Sequence, residues 1–154
     1  MKYFLDENHK NNVMKVIRDK RLVYPDGQVD CYYLPALFIL LSTKNNLYKK
    51  TRNYIDADGI DFEAMMEKQD FSSGEAKLVR LAANLYNGSM EVTPQELINT
   101  LDDRNYDLAM QAIRFMRYGC HIENLLERQK DMEADIEIDV ETDMGMENDF
   151  EMEL

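Results

Sequence analysis

The sequence has 154 residues, the length of one ordinary domain and enough for a hydrophobic core without a metal or disulfide. Its formal net charge is −12, but residues 131–154 hold 11 of the 30 acidic residues and no Lys or Arg. Residues 1–130 therefore carry 19 acidic against 18 basic residues. Direct nucleic-acid binding is disfavoured, because affinity for phosphate requires concentrated positive charge. We divide the chain into a globular domain, residues 1–130, and an acidic tail, residues 131–154.

The two cysteines and the apolar runs indicate the compartment. Cys31 and Cys120 form no Cys-x-x-Cys pair, which is typical of a reduced cytoplasmic protein. The first residues lack the apolar run of a signal peptide. The longest apolar run, residues 34–41, is too short to cross a bilayer. The sequence therefore predicts a cytoplasmic protein with no membrane contact.

Apolar residues recur at helical spacing throughout residues 1–130. The run 36–41 is apolar on all sides and predicts a central buried helix, with a strand as the alternative. Thr93-Pro94-Gln95-Glu96 is a capping box with proline at the first helical position, and Asn87-Gly88 is typical of a helix end. We predict an all-α, small multi-helix bundle with an extended or disordered acidic tail. The predicted helices span about residues 6–20, 32–42, 44–55, 62–68, 72–86, 94–101, 105–118 and 122–129.

Residues 56–63 contain closely spaced acidic residues and invite comparison with a calcium-binding loop. Placing Gly59 at the sixth loop position puts Tyr54 at the first and Met65 at the twelfth. Calcium loops need an oxygen ligand at the first position and a bidentate Glu at the twelfth. Because both ligands are missing, the segment indicates a plain turn followed by a helix cap.

Histidine occurs only at positions 9 and 121. Two pairs offer a base or a nucleophile: Glu7 with His9, and Cys120 with His121. Adjacent residues on a helix point about 100° apart, so Cys120 and His121 would not face each other. Glycine loops for phosphate, zinc-protease helices and nucleophile elbows are also missing from the sequence. We predict a protein without catalysis, metal or cofactor, in which Cys120 is a packed thiol and His121 a surface imidazole.

Two pairs of basic residues offer an alternative binding site. Lys77 and Arg80 share one predicted helix, and Arg114 and Arg117 share another, each at i, i+3 spacing. Such pairs bind phosphate or an acidic surface, but more often they border a solvated face or hold local salt bridges. The stretch 48–54 also interleaves tyrosine with lysine and arginine, a mixture compatible with nucleic-acid contact.

The acidic tail alternates acidic and apolar residues. Acids occupy every odd position from Asp131 through Asp143, and most even positions are apolar. A helix would place these like charges at i, i+4, whereas an extended chain puts all acids on one face and the apolar groups on the other. The residues that we predict to bind a partner are Asp135, Ile136, Glu137, Ile138, Asp139, Val140, Glu141 and Asp143.

Three interpretations of the acidic tail stay open from the sequence. The first is a solvated, disordered tail. The second is a strand or adaptive segment that binds a partner, for example at an exposed sheet edge, and folding back onto residues 44–52 is its intramolecular form. The third is imitation of a nucleic-acid backbone in the basic channel of a nuclease or polymerase. The last two predict binding to a basic protein surface that weakens with salt.

Several segments of the domain form an ordered set of motifs: Glu7-x-His9-Lys10, Asp30 with Tyr33, residues 36–43, residues 72–88, and Ala112-Ile113-Arg114 followed by Arg117-Tyr118. This set resembles an uncharacterised family of small proteins carried by phages and prophages of Firmicutes. The resemblance covers about residues 1–118 and leaves out the acidic tail. It implies a bacterial cytoplasm and a mobile-element setting, where small accessory proteins and defence inhibitors are common, and it transfers no activity.

These observations lead to one expectation and two alternatives. We expect a non-enzymatic phage or prophage accessory protein whose acidic tail binds a basic host or defence protein, as a nucleic-acid mimic or an anti-defence inhibitor. One alternative is a nucleic-acid-binding regulator that uses the basic pairs, with the tail as an autoinhibitory arm. The other is a phage assembly component that oligomerises through the helical domain.

Overall fold

The computed structural model describes residues 3–42, 47–56 and 58–126. Within these ranges the strand structure beyond isolated bridges is one antiparallel hairpin, in which β1 (Ile55–Asp56) pairs with β2 (Gly59–Ile60). Residues 122–126 are also helical. The predicted all-α bundle is confirmed, and the predicted extended or disordered tail lies outside the described residues. The main helices are α1 Glu7–Asp19, α2 Tyr33–Leu40, α3 Leu47–Thr51, α4 Phe62–Lys68, α5 Ser73–Asn87, α6 Pro94–Thr100 and α7 Asp103–Tyr118.

Helix α2 forms the centre of the bundle, as its sequence predicted. Every residue from Leu34 to Leu40 is buried, and α2 packs chiefly against α5 and α7, with α1 and α3 as further neighbours. Asp30 starts the helix, because its Oδ1 accepts hydrogen bonds from the backbone N–H groups of Tyr32 and Tyr33. Pro35 lies in the first turn, where a missing N–H costs no helical hydrogen bond. The strand alternative for this segment is therefore wrong.

The helix caps follow the sequence closely. Asp6 accepts a hydrogen bond from the His9 backbone N–H at 2.7 Å and begins α1. Reciprocal capping boxes begin α5 and α6, at Ser72 and Thr93. Each such cap stabilises its helix by about 1 kcal/mol. The described helices α1 to α7 are all too short to span a membrane.

Helix α7 begins two residues earlier than predicted. It begins at Asp103 and not at Asn105, because the Asp102 side chain accepts a hydrogen bond from the Asn105 backbone N–H. Its buried face centres on Leu108 and Ala112, whereas Met110 and Ile113 are only partly buried at the edge. Both sets of residues fit helical spacing, so packing against α2 decides between them.

The segment 44–55 does not form the single surface helix that the sequence predicted. Helix α3 covers only Leu47–Thr51, a 3₁₀ turn follows at Arg52–Tyr54, and β1 begins at Ile55. Leu47 and Thr51 are buried, and the Thr51 hydroxyl donates a hydrogen bond to the Leu40 carbonyl at 2.7 Å. This contact with the end of α2 fixes the short helix in the bundle. Of the last predicted helix, residues 122–126 are helical, and 127–129 lie outside the described residues.

The loop after α1 pairs with the chain after α7. The Val29 N–H donates to the Cys120 carbonyl at 2.9 Å, and the Ile122 N–H donates to the Gly27 carbonyl at 2.8 Å. The His121 ring lies directly over Gly27, where a Cβ would come 2.0 Å from its Nε2 atom, and Gly27 has a φ of +90°. Glycine is therefore required here by both backbone conformation and close approach.

Replacing Gly27 with alanine is predicted to destabilise the fold by about 2 kcal/mol or more, because the new methyl group overlaps the His121 ring. The matched control is Gly88→Ala, at a φ of +72° with no atom within 4 Å of the added Cβ. The control removes only the conformational advantage of glycine, worth about 1 kcal/mol. Urea unfolding of the two variants measures the difference, and equal losses of stability would contradict the packing described here.

His9 is a core residue and not a candidate base. Its Nδ1 accepts a hydrogen bond from the Leu5 backbone N–H at 3.1 Å, so the ring proton lies on Nε2, which donates to the Phe38 carbonyl at 2.7 Å. The ring also contacts Phe4 and Phe38. Burial lowers the pKa of His9 from 6.5 to about 4. The neutral imidazole thus ties the amino-terminal segment to α2.

This burial predicts a specific acid sensitivity. As the pH falls from about 6.5 to about 4, the unfolded chain binds a proton at His9 before the folded chain does, so folding loses about 3 kcal/mol. In His9→Gln this loss disappears, and the remaining acid sensitivity belongs to other groups. Urea unfolding of wild type and variant at pH 7 and at successively lower pH tests the difference. Parallel stability profiles for the two proteins would show that His9 does not remain neutral in the fold.

Candidate functional site

The predicted partner-binding residues belong to the acidic tail and lie outside the described residues. They are Asp135, Ile136, Glu137, Ile138, Asp139, Val140, Glu141 and Asp143. The described part of the chain ends shortly after Leu125, which is buried in the core. The described candidate sites therefore all lie in the helical domain.

The first basic pair, Lys77 and Arg80, lies beside the start of α6. The Arg80 guanidinium is 3.6 Å from the Glu96 carboxylate. The pKa of Glu96 is lowered chiefly by the hydrogen bond from the Thr93 backbone N–H, and also by the nearby charges of Arg80 and Lys77. Arg80 therefore links α5 to the acidic cap of α6 by a local salt bridge, and Lys77 lies near enough for its charge to act on the same carboxylate.

The second basic pair, Arg114 and Arg117, is exposed at the end of α7. Both guanidinium groups lie against the ring of Tyr118, at 5.6 and 6.0 Å from its centroid. Tyr118 itself is 72 % exposed. Within the described residues neither arginine forms an ion pair. The structure thus gives the two basic pairs different local partners, and the second forms an outward-facing cluster of two cations and an aromatic ring.

The cysteine and histidine after α7 have structural roles. Cys120 is buried, and burial raises the pKa of its thiol to about 11, so the predicted packed thiol is confirmed. His121 is half-buried over Gly27, and its Nδ1 accepts a hydrogen bond from the Glu123 backbone N–H. It is therefore less exposed than the predicted surface imidazole. Across the described ranges, no group of three or more His, Cys, Asp or Glu residues is placed to hold a metal ion.

The acidic residues of the β1–β2 turn are also occupied locally. The Asp56 Oδ1 accepts hydrogen bonds from the backbone N–H groups of Asp58 and Gly59. Asp61 caps α4 by accepting a hydrogen bond from the Ala64 backbone N–H. The turn-and-cap interpretation of this segment is therefore correct.

A cavity of about 330 Å³ lies between α1 and the segment that runs from α3 to β1. Its α1 residues recur at intervals of three and four and therefore share one helix face. The lining residues are Asn12, Lys15, Val16, Asp19, Lys20, Leu41, Tyr48, Arg52, Ile55 and Asp56. This cavity combines an apolar surface with several charged groups.

The charged groups of the cavity differ in whether they have an ion-pair or hydrogen-bond partner. Lys15 forms an exposed ion pair with Asp19 at 2.8 Å. The Arg52 guanidinium lies over the Tyr48 ring at 5.4 Å. The Lys20 ammonium is buried and has no hydrogen-bond partner among the described residues, although it lies 5.7 Å from the Tyr33 ring centroid.

Sequence reasoning found only part of this cavity. The stretch 48–54 indicated Tyr48 and Arg52, whereas the α1 residues of the cavity were predicted only as part of the helix over residues 6–20. The available signal was the spacing of Lys20 four residues after Val16, which places both on one helix face. That signal is weak, because a lysine at a helix end is common on any surface.

Comparison with known proteins gives a family and no function. A search of curated proteins finds no match, and a search of solved structures also finds none. A family model described as a family of unknown function, DUF6075, matches residues 1–130. The match includes every helix and strand described above and stops where the acidic tail begins. The chain therefore belongs to the DUF6075 family.

Proposed function

We propose that the protein acts by binding and not by catalysis, as an accessory protein of a phage or prophage. Its acidic tail engages a basic surface on a host or defence protein, as a nucleic-acid mimic or inhibitor would. The observation that carries this proposal is the alternation of acidic and apolar residues through 131–154. The mobile-element setting rests on the resemblance of the domain to phage and prophage proteins.

The composition and the core of the helical domain support a separate binding role for the acidic tail. The described residues bury a hydrophobic core that extends from Phe4 to Leu125. The family match ends at residue 130, and the acidic tail begins at residue 131. With 19 acidic and 18 basic residues in 1–130, the domain contributes little net charge of its own. The strong negative field of the chain is therefore concentrated in the tail.

The tail pattern specifies the kind of partner. In an extended segment, successive acids lie about 6.6 Å apart on one face and the apolar side chains lie on the other. A row of Lys and Arg beside an apolar groove or an open sheet edge satisfies both faces. The concentrated negative charge of the tail also accelerates association with a basic surface, and added salt weakens this binding.

Neutralising the acidic face of the tail is predicted to abolish partner binding in the full-length chain. The tail variant is Asp135→Asn, Glu137→Gln, Asp139→Asn, Glu141→Gln and Asp143→Asn. A control variant makes the same change in net charge at exposed acids of the domain whose side chains form no hydrogen bond or ion pair within the described residues. These control substitutions are Asp58→Asn, Glu67→Gln, Glu91→Gln, Asp107→Asn and Glu123→Gln.

The measurement is quantitative mass spectrometry of proteins captured from an extract of the organism that encodes the chain. We expect wild type and the control variant to capture the same basic proteins in a salt-sensitive manner, and the tail variant to lose them. Equal capture by all three chains would show that the acidic face of the tail is not the binding element.

A second candidate function is supported by the cluster at the end of α7. An exposed aromatic ring flanked by two arginines is a surface on which a nucleic-acid base can stack. Tyr118 with Arg114 and Arg117 provides such a surface. In this alternative the acidic tail competes with nucleic acid for the arginines, so that the tail is autoinhibitory.

The alternative predicts that the tail variant binds single-stranded DNA more tightly than wild type at low salt. Adding Arg114→Gln and Arg117→Gln to the tail variant would remove the gain. Lys77→Gln and Arg80→Gln would leave it, because Arg80 is paired with Glu96 and the charge of Lys77 also acts on that carboxylate. Fluorescence anisotropy with a labelled oligonucleotide measures the affinities. No gain on tail neutralisation would exclude the autoinhibitory role.

A further inference from the structure

We propose that the cavity between α1 and the α3–β1 segment binds a small organic anion, a carboxylate or phosphate monoester with a compact apolar body. This inference concerns the helical domain and does not depend on the acidic tail. It rests on the size of the cavity, the balance of its charges and a lining lysine, Lys20, whose ammonium has no hydrogen-bond partner within the described residues.

The size and walls of the cavity suit a small molecule. Its volume of about 330 Å³ falls in the range of small-molecule pockets, which are mostly apolar with a few polar groups. Val16, Leu41 and Ile55 provide the apolar surface. The Asn12 side-chain amide already donates a hydrogen bond to the Leu41 carbonyl at 3.3 Å. The apolar body of a ligand can pack against Val16, Leu41 and Ile55.

The sign of the ligand charge follows from which charged groups are already engaged. Asp19 forms an ion pair with Lys15, and the Asp56 Oδ1 accepts two backbone hydrogen bonds. Lys20 and Arg52 have no carboxylate partner within the described residues. The lining therefore carries three basic residues, Lys15, Lys20 and Arg52, against the carboxylates of Asp19 and Asp56, and an anion neutralises the remaining positive charge.

Lys20 provides the most specific argument for a ligand. Its buried ammonium has three N–H donors, and none of them has a hydrogen-bond acceptor within the described residues. The Tyr33 ring at 5.7 Å supplies a cation–π contact, which does not replace those hydrogen bonds. A buried donor without an acceptor is costly, and such groups in native proteins call for an explanation. Rotation of the flexible lysine side chain toward an anion in the cavity supplies the missing acceptor.

Arg52 provides the second contact. Its guanidinium is held against the Tyr48 ring at 5.4 Å, and both side chains line the cavity. The planar guanidinium fork matches the two oxygens of a carboxylate or a phosphate. Lys20 and Arg52 together bind the anionic head, and the apolar wall takes the rest of the ligand.

The test is a titration of the full-length chain, followed by the methyl NMR signals of Val16, Leu41 and Ile55. The probes are benzoate, phenyl phosphate and the neutral benzyl alcohol, which share one aromatic ring. We expect at least one anion to shift these signals and the alcohol to leave them unchanged. Comparing the two anions distinguishes a carboxylate site from a phosphate site.

Two variants connect the binding to the proposed residues. Arg52→Gln and Lys20→Met are each expected to weaken anion binding about tenfold or more, since each removes a charge-assisted hydrogen bond. The matched control is Arg114→Gln, because Arg114 also lies over a tyrosine ring but is not among the residues that line the cavity. Lys20→Met is further expected to raise the melting temperature of the unliganded chain, because it removes an unsatisfied buried donor.

Several results would overturn the proposal. They are the failure of both anions to shift the three methyl signals, an equal shift by benzyl alcohol, and unchanged anion affinity in Arg52→Gln and Lys20→Met. Movement of the same methyl signals on neutralising the five tail acids, without any added ligand, would identify the tail as the occupant and overturn the small-anion site. None of these results depends on partner capture, so this proposal and the proposed function fail independently.

Discussion

The fold depends on the burial of α2. A helix without a polar face is stable in water only when other elements cover all of its sides, and each large apolar side chain that it buries contributes about 1.5–3 kcal/mol. Helices α5 and α7 provide most of that cover, and α1 and α3 complete it. The short capped helices and the paired loop after α1 hold these covering helices in place. The amphipathic faces of the domain are thus arranged around one apolar segment, Leu34–Leu40.

The cavity follows from the same packing. Helix α1 turns Val13 and Ile17 into the core and presents the neighbouring face, with Val16 and Lys20, to the α3–β1 segment. That segment is fixed by the Thr51 hydrogen bond to the end of α2. After Thr51 the chain passes through a 3₁₀ turn into β1, and the cavity lies between this segment and α1. The charged groups of the cavity therefore lie on segments that also contribute buried residues to the core.

Local signals explain what the sequence could predict. The capping box at Thr93, the helix end at Gly88 and the all-apolar run 36–41 act through residues that are close together in the sequence, and these predictions were correct. The length of α3 and the buried face of α7 depend on contacts with α2, which local spacing cannot reveal. His9 was missed as a core residue because its partner is the Phe38 carbonyl, distant in sequence. The unsatisfied state of Lys20 is likewise a property of packing, and no spacing rule contains it.

The domain and the acidic tail divide the protein into a nearly neutral scaffold and a charged segment that we propose to be its binding element. The most direct test of that claim is the affinity of the purified full-length chain for a captured basic partner as the ionic strength rises from about 0.05 M to about 0.3 M. We predict a steep loss of affinity for wild type and for the control variant with neutralised domain acids, and weak binding with little salt dependence for the tail variant. An affinity that does not change with salt, or an equally steep loss in the tail variant, would contradict it.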